Sequence, residues 1–75
     1  MNPIEQILRN HLPKNITVER KDRLFSTGIL DSLSLIDIVQ EVESHFQIRV
    51  HWSELNLDNF DSIERIEHYV HTKTK

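Results

Sequence analysis

Apolar residues recur every three or four positions in three separate stretches of this sequence, which is the spacing of helices with one buried face. The first stretch predicts a helix from Asn2 to Leu12. Asn2 is a suitable N-cap and Pro3 suits the first helical position, while Pro13 ends the helix. Its apolar residues, which share one face, are Ile4, Ile7, Leu8 and Leu12.

The second stretch has the clearest pattern and predicts a helix from Ser32 to Phe46. At about 100° per residue, one broad arc contains the residues that we expect to face inward: Leu35, Ile36, Ile38, Val39, Val42 and Phe46. Asp37 and Glu41 lie on the opposite, polar side, and Leu33 falls among the polar residues, so we expect it to be exposed. Two carboxylates four residues apart repel each other in an isolated helix. A basic partner surface would offset that repulsion.

The third stretch predicts a helix from Ser62 to His71, with Asp61 as its N-cap and Glu64 completing a capping box. Residues 72–75 are expected to fray, and Ser53 to Leu55 indicate one short helical turn. Residues 14–31 form a long connection whose scattered apolar residues suggest that it is pinned across the core. We therefore predict one all-α domain over residues 1–75, a small four-helix bundle of three main helices and one short helix.

Composition excludes several classes of protein. The chain has no cysteine, so disulfides and thiolate metal sites are impossible, and a thioester could be carried only on a thiol from a prosthetic group. The histidines and acidic residues lack zinc or calcium spacing, and no metal site is expected. A net charge of −3 and a basic cluster interrupted by acids (20–23) argue against nucleic acid. Without a long apolar run or signal sequence, we expect a soluble, cytoplasmic protein that does not bind membranes. We also expect it to be a monomer.

One serine stands out because of its position. Ser32 opens the second helix directly after Asp31, and the only glycine, Gly28, precedes them in the connection. The first turn of a helix has unpaired N–H groups and a positive dipole end, which favour an anion such as a phosphodiester on Ser32. The residues alone leave an alternative open, in which Asp31 or Ser32 only caps the helix. Ser32 lacks a Gly-x-Ser-x-Gly setting and a base nearby in sequence, so no catalytic residue and no enzyme are predicted.

The segment Gly28-Ile29-Leu30-Asp31-Ser32-Leu33 resembles the prosthetic-group attachment motif of acyl carrier proteins, whose core is Asp-Ser-Leu. The resemblance extends over nearly the whole chain. It includes the apolar pair Leu24-Phe25, an amphipathic second helix ending in Phe46, and the run Asn59-Phe60-Asp61-Ser62-Ile63 before the last helix.

This resemblance implies that Ser32 carries a covalent 4'-phosphopantetheine, installed from coenzyme A by a phosphopantetheinyl transferase. A ligase would then load an acyl or aminoacyl group as a thioester, and a downstream transferase or synthase would receive it. The second helix would be the surface that partners recognise, through Asp31, Leu33, Asp37 and Glu41. This helix is less acidic than in fatty-acid carriers, which argues against a role as the general fatty-acid carrier. The segment Asn59-Phe60-Asp61-Ser62 resembles stand-alone carriers of specialised pathways, such as aminoacyl or D-alanyl carriers. The alternative is an unmodified helical adaptor that binds partners through the same helix.

Overall fold

The computed structural model of the protein describes residues 3–74, and every regular element among them is helical. The helices are α1 (Pro3–His11), α2 (Ser32–Phe46), α3 (Leu57–Phe60) and α4 (Ile63–Thr74), and a 3-10 turn (Trp52–Glu54) precedes α3. The all-α class, the three longer helices and the long connection before α2 are therefore confirmed. The short helical turn predicted at Ser53 to Leu55 corresponds to the 3-10 turn, whereas α3 was not predicted.

The observed helix boundaries agree best with the predicted ones at α2, where the spacing of apolar residues is clearest. Helix α2 begins and ends where the sequence predicts. Helix α1 ends one residue early, and its predicted N-cap, Asn2, lies outside the described residues. Helix α4 continues to Thr74, so the expectation that residues 72–75 fray is wrong for residues 72–74. The extra turn is anchored, because the Nζ of Lys73 lies 3.1 Å from Oε1 of Glu54 in the 3-10 turn.

The core lies where α1, α2 and α4 face one another. It contains Leu8 of α1, Ile38 and Val42 of α2, and Ile63 and Ile66 of α4, all fully buried. Such burial of apolar surface is the main stabilising term in a domain of this size.

The predicted inward arc of α2 is wrong at one position, Ile36, whose side chain is 51% exposed. On a helical wheel Ile36 lies about 110° from the centre of the buried arc, beyond Val39 at its edge. The sequence pattern assigned Ile36 to the core because it is apolar, whereas its angular position places it in solvent.

The long connection is pinned across the core as predicted. Val18, Leu24 and Leu30 are buried, and the Leu30 N–H donates to the Leu24 carbonyl at 2.8 Å. Between these two leucines the chain turns at Gly28, whose φ of +82° is a conformation that side chains disfavour. The turn returns the chain to the core directly before Asp31.

One of the basic residues of the connection, Arg20, contacts two helices. The guanidinium of Arg20 lies 3.2 Å from Oε1 of Glu5 in α1 and 2.9 Å from Oε2 of Glu67 in α4. It therefore bridges two helices, although half-exposed pairs of this kind contribute little stability individually.

Asp61 is not the N-cap of α4, which corrects the predicted capping box. Ser62 has that role, because its Oγ accepts the Arg65 backbone N–H at 3.1 Å. The backbone N–H of Asp61, which a Glu64 side chain would accept in a capping box, instead donates to the Leu57 carbonyl at 3.0 Å. The side chain of Asp61 is fully buried and turned towards the long connection.

Two isoleucines of α2 test the orientation of this helix. Ile38→Ala should lower the free energy of unfolding by about 2–5 kcal/mol, because it removes a fully buried side chain and leaves a cavity. Ile36→Ala, two residues away and half exposed, should change it by about 0.5 kcal/mol or less. Urea unfolding of both variants measures these values. Equal losses in the two variants would show that the orientation is wrong.

Candidate functional site

Helix α2 starts with a side-chain cap, and the capping residue is Asp31. Its backbone is extended, its Oδ1 accepts the Ser34 N–H at 2.9 Å, and its carbonyl accepts the Leu35 N–H at 3.1 Å. The sequence left open whether Asp31 or Ser32 caps the helix. The structure shows that Asp31 is the cap and that Ser32 is not. Ser32 is the first residue of α2.

The Asp31 carboxylate is held in its charged form by this cap. The backbone N–H of Ser34, followed by the Ser34 side chain, holds the pKa of Asp31 below its usual range. No acidic residue lies within the first turn of α2 itself. Asp31 is thus the negative charge closest in sequence to Ser32, and it is already engaged by the helix that it caps.

The Ser32 hydroxyl is not used by the fold. Its residue is exposed, and within residues 3–74 its Oγ neither donates nor accepts a hydrogen bond. Serines that stabilise helix starts usually bond to backbone N–H groups, and here Asp31 has taken that place. The hydroxyl is therefore free to react with a group brought by another molecule.

The surroundings of Ser32 determine which groups could act on its hydroxyl. Among the described residues no histidine or carboxylate contacts Oγ, so a base that removes its proton must come from elsewhere. Once a phosphodiester is attached, the unpaired N–H groups and the positive dipole end of α2 favour its negative charge. The site can therefore hold a phosphate-linked group without catalysing its own modification.

The exposed side of α2 forms a continuous surface next to Ser32. This α2 outer face consists of Leu33, Ile36, Asp37 and Glu41, which recur at helical spacing. All four are exposed, and Leu33 most of all, at 72%. Sequence analysis missed Ile36 as part of this face, although its position on the helical wheel beside Leu33 would have indicated it.

The four residues predicted to contact partners differ in the contacts that their side chains make within the chain. Asp31 caps α2, and the carboxylate of Glu41 is hydrogen-bonded to the imidazole of His11, which ties the far end of the outer face to α1. Leu33 and Asp37 make no side-chain hydrogen bond or ion pair within the described part of the chain. These two side chains are therefore available without breaking an existing contact.

Other kinds of site find little support in residues 3–74. No three histidine or carboxylate side chains come close enough there to bind a metal ion together. None of the helices in the same range has the length and hydropathy required to cross a bilayer.

Comparison with known proteins relates most of the sequence to one family. The sequence model for the family described as "Phosphopantetheine attachment site" matches residues 4–70. A D-alanyl carrier protein of Leuconostoc citreum is 29% identical over 63 residues, which are 84% of this chain and 81% of that protein. D-alanyl carrier proteins of Streptococcus pyogenes serotype M1 and Streptococcus thermophilus are 40% identical over 43 residues, 57% of this chain and 54% of each relative.

Substitution of Asp31 tests the cap. Asp31→Ala should reduce protection of the Ser34 amide from hydrogen exchange at neutral pH, whereas Asp31→Asn should preserve it, because asparagine caps equally well. The cap lowers the pKa of Asp31, so its contribution is complete above about pH 4, the ordinary value for aspartate, and disappears as the pH falls through the lowered value.

Wild-type protein should therefore lose Ser34 protection in acid, measured by NMR as a protection factor, and Asp31→Asn should keep it. Unchanged protection in Asp31→Ala would show that another group caps the helix.

Proposed function

We propose a role for Ser32 from the premise that this chain belongs to the phosphopantetheine attachment family. The chain is a carrier protein rather than an enzyme, and its prosthetic group is a covalently attached 4'-phosphopantetheine. Ser32 is, in our proposal, the residue that bears this group. The observation that carries the proposal is an exposed serine hydroxyl, unused by the fold, at the first position of a helix that a neighbouring side chain already caps.

The proposed modification is a transfer to Ser32 Oγ from coenzyme A, catalysed by a separate phosphopantetheinyl transferase. A new bond forms between Oγ and the phosphorus of the phosphopantetheine. The bond from that phosphorus to the adenosine bisphosphate breaks, and the transferase takes the hydroxyl proton. The free position of Oγ supports this reaction, because no internal hydrogen bond has to be broken first.

The attached arm supplies a thiol, which this cysteine-free chain lacks, and an acyl or aminoacyl group is carried on it as a thioester. The relatives are named D-alanyl carrier proteins. We propose that the cargo here is likewise D-alanine or another small amino acid. A ligase loads the cargo, and a transferase or synthase receives it.

Partner enzymes bind, in our proposal, to the α2 outer face next to the arm, with Asp31 at its edge. Leu33 and Ile36 offer apolar contact area, and Asp37 and Glu41 offer negative charge for a basic partner surface. An apolar centre with charges around it is typical of recognition surfaces, and the charges mainly set the encounter rate and the orientation. Residues 1–75 would act as one monomeric carrier domain in the cytoplasm, where coenzyme A is available.

Intact mass spectrometry tests the attachment residue. We expect incubation with coenzyme A and a broad-specificity phosphopantetheinyl transferase to add the mass of one phosphopantetheinyl group to the wild-type protein. Ser32→Ala should remain unmodified, because the accepting oxygen is gone. Ser34→Ala is the matched control in the same helical turn and should be modified fully, since its backbone N–H still reaches Asp31.

Modification of Ser32→Ala would contradict the proposal. If several transferases left the wild-type mass unchanged and the chain still bound a partner, the adaptor function would replace the carrier function.

Two substitutions test the recognition surface. Leu33→Ala and Asp37→Lys should each raise the KM for the transferase or ligase several-fold while leaving the circular dichroism spectrum unchanged, because both side chains are exposed and unpaired. Glu64→Lys on α4 is the control, with the same type of charge reversal at an exposed position. If Glu64→Lys raised the KM as much as Asp37→Lys, net charge rather than the α2 outer face would determine binding.

A further inference from the structure

A buried carboxylate that the attachment reaction itself does not use lies at the junction of α3 and α4. Asp61 is completely buried, and its Oδ1 accepts three backbone N–H groups, from Leu24 at 3.2 Å, Phe25 at 2.7 Å and Ser26 at 3.1 Å. Its Oδ2 accepts the Ser26 hydroxyl at 2.7 Å. Burying a carboxylate is costly unless hydrogen bonds replace its lost water, and here four donors do so.

These donors keep Asp61 charged. Burial alone would raise the pKa of Asp61, but the hydrogen bonds from the Ser26 hydroxyl and the three backbone N–H groups outweigh it, and the pKa is lowered. Arg23 adds a guanidinium 3.5 Å from Oδ2. Hydrogen bonds to a charged acceptor are stronger than neutral ones, so the segment that donates them is held firmly.

The segment held by Asp61 leads directly to Ser32. The Leu24 N–H that contacts Oδ1 also donates to the backbone carbonyl of Asp61, at 2.8 Å. The Leu24 carbonyl in turn accepts the Leu30 N–H at 2.8 Å, which closes the loop 24–30 at both ends. Leu30 is followed by Asp31, the cap of α2, and then by Ser32. These few hydrogen bonds connect the buried carboxylate to the start of the helix that bears the Ser32 hydroxyl.

The packing of the helices gives this connection its importance. Helix α2 packs mainly against α1, whereas α4 packs mainly against α1 and α3. The first turn of α2 is therefore linked to the α3–α4 junction through the loop 24–30 rather than through a broad helix–helix contact. Asp61 attaches that loop to the junction, through its carboxylate and its backbone carbonyl.

We infer that Asp61 is a positioning residue for the modification of Ser32: it fixes the loop 24–30, and through this loop the place and orientation of the first turn of α2. The inference rests on the proposed function of Ser32. If Asp61 served only stability, an equally destabilising substitution elsewhere in the core would affect the modification of Ser32 as much as loss of Asp61 does. An aspartate used for positioning affects the rate of transfer even when the protein is fully folded.

The test compares three variants under conditions in which each is folded, as judged by circular dichroism. Asp61→Ala removes all four hydrogen bonds to the side chain but keeps the bond from the Leu24 N–H to the Asp61 backbone carbonyl. Asp61→Asn retains an Oδ1 that can accept the three backbone N–H groups. Val42→Ala removes a fully buried side chain of α2, ten residues after Ser32, and serves as the control for lost stability. Phosphopantetheinyl transfer to each variant is followed by mass spectrometry with coenzyme A and a broad-specificity transferase, and hydrogen exchange is measured at the Leu30 and Ser26 amides.

We expect Asp61→Ala to lower kcat for transfer about tenfold or more, because small misplacements of a reacting group have effects of this size. KM should change little, since the α2 outer face is intact. Asp61→Asn should recover most of the rate, and Val42→Ala should react like wild type. Exchange at Leu30 and Ser26 should accelerate in Asp61→Ala but not in Val42→Ala, relative to core amides.

Wild-type kcat in folded Asp61→Ala would overturn the inference and leave the proposed function of Ser32 intact. An equal loss of rate in Val42→Ala would also overturn it, because stability alone would then explain the effect. If Asp61→Ala does not fold, the comparison passes to Ser26→Ala, which removes the hydrogen bond to Oδ2, with Asp61→Asn as the conservative control. Wild-type kcat and wild-type loop exchange in Ser26→Ala would then contradict positioning. If the wild-type protein is not modified at all, the proposed function fails, while loop exchange still reports whether Asp61 anchors the loop.

Discussion

The hydrogen bonds between the Asp61 carboxylate and residues 24–26 fix the loop 24–30 to the junction of α3 and α4. Ordering each residue of a connection costs roughly 1–2 kcal/mol of conformational entropy. The connection between α1 and α2 buries few apolar side chains in return, chiefly Val18, Leu24 and Leu30. A charged acceptor with four donors supplies directional contacts at one point. In our inference, the position of the first turn of α2, and with it the candidate site, depends on these contacts.

The site itself separates two tasks that a serine at a helix start often combines. Asp31 satisfies the backbone of the first turn, and Ser32 is left with a hydroxyl that the fold does not need. This separation suits a carrier protein, because the modified residue must react with another protein and then bear a charged, mobile group. The α2 outer face continues from the same turn, so modification and partner recognition share one surface in our proposal.

Sequence reasoning succeeded where information is local. The helical spacing and the Asp-Ser start predicted both ends of α2, and Leu33 is exposed as its angle on the helix required. It failed at Ile36, where hydrophobicity outweighed angular position. At Asp61 a local capping pattern competed with donors about 35 residues earlier in the chain, and no local signal reveals that such donors will be adjacent. The family resemblance indicated the carrier function, which the periodicity of the helices alone did not.

Localisation of the prosthetic group tests the central claim most directly. The protein is isolated from its natural host, or after reaction with a transferase, then cleaved with a protease and sequenced by tandem mass spectrometry. Our account predicts a single phosphopantetheinyl group, and fragment ions that place it on Ser32 and on none of the other serines. Assignment of the group to a different residue, such as Ser26 or Ser34, would contradict the account.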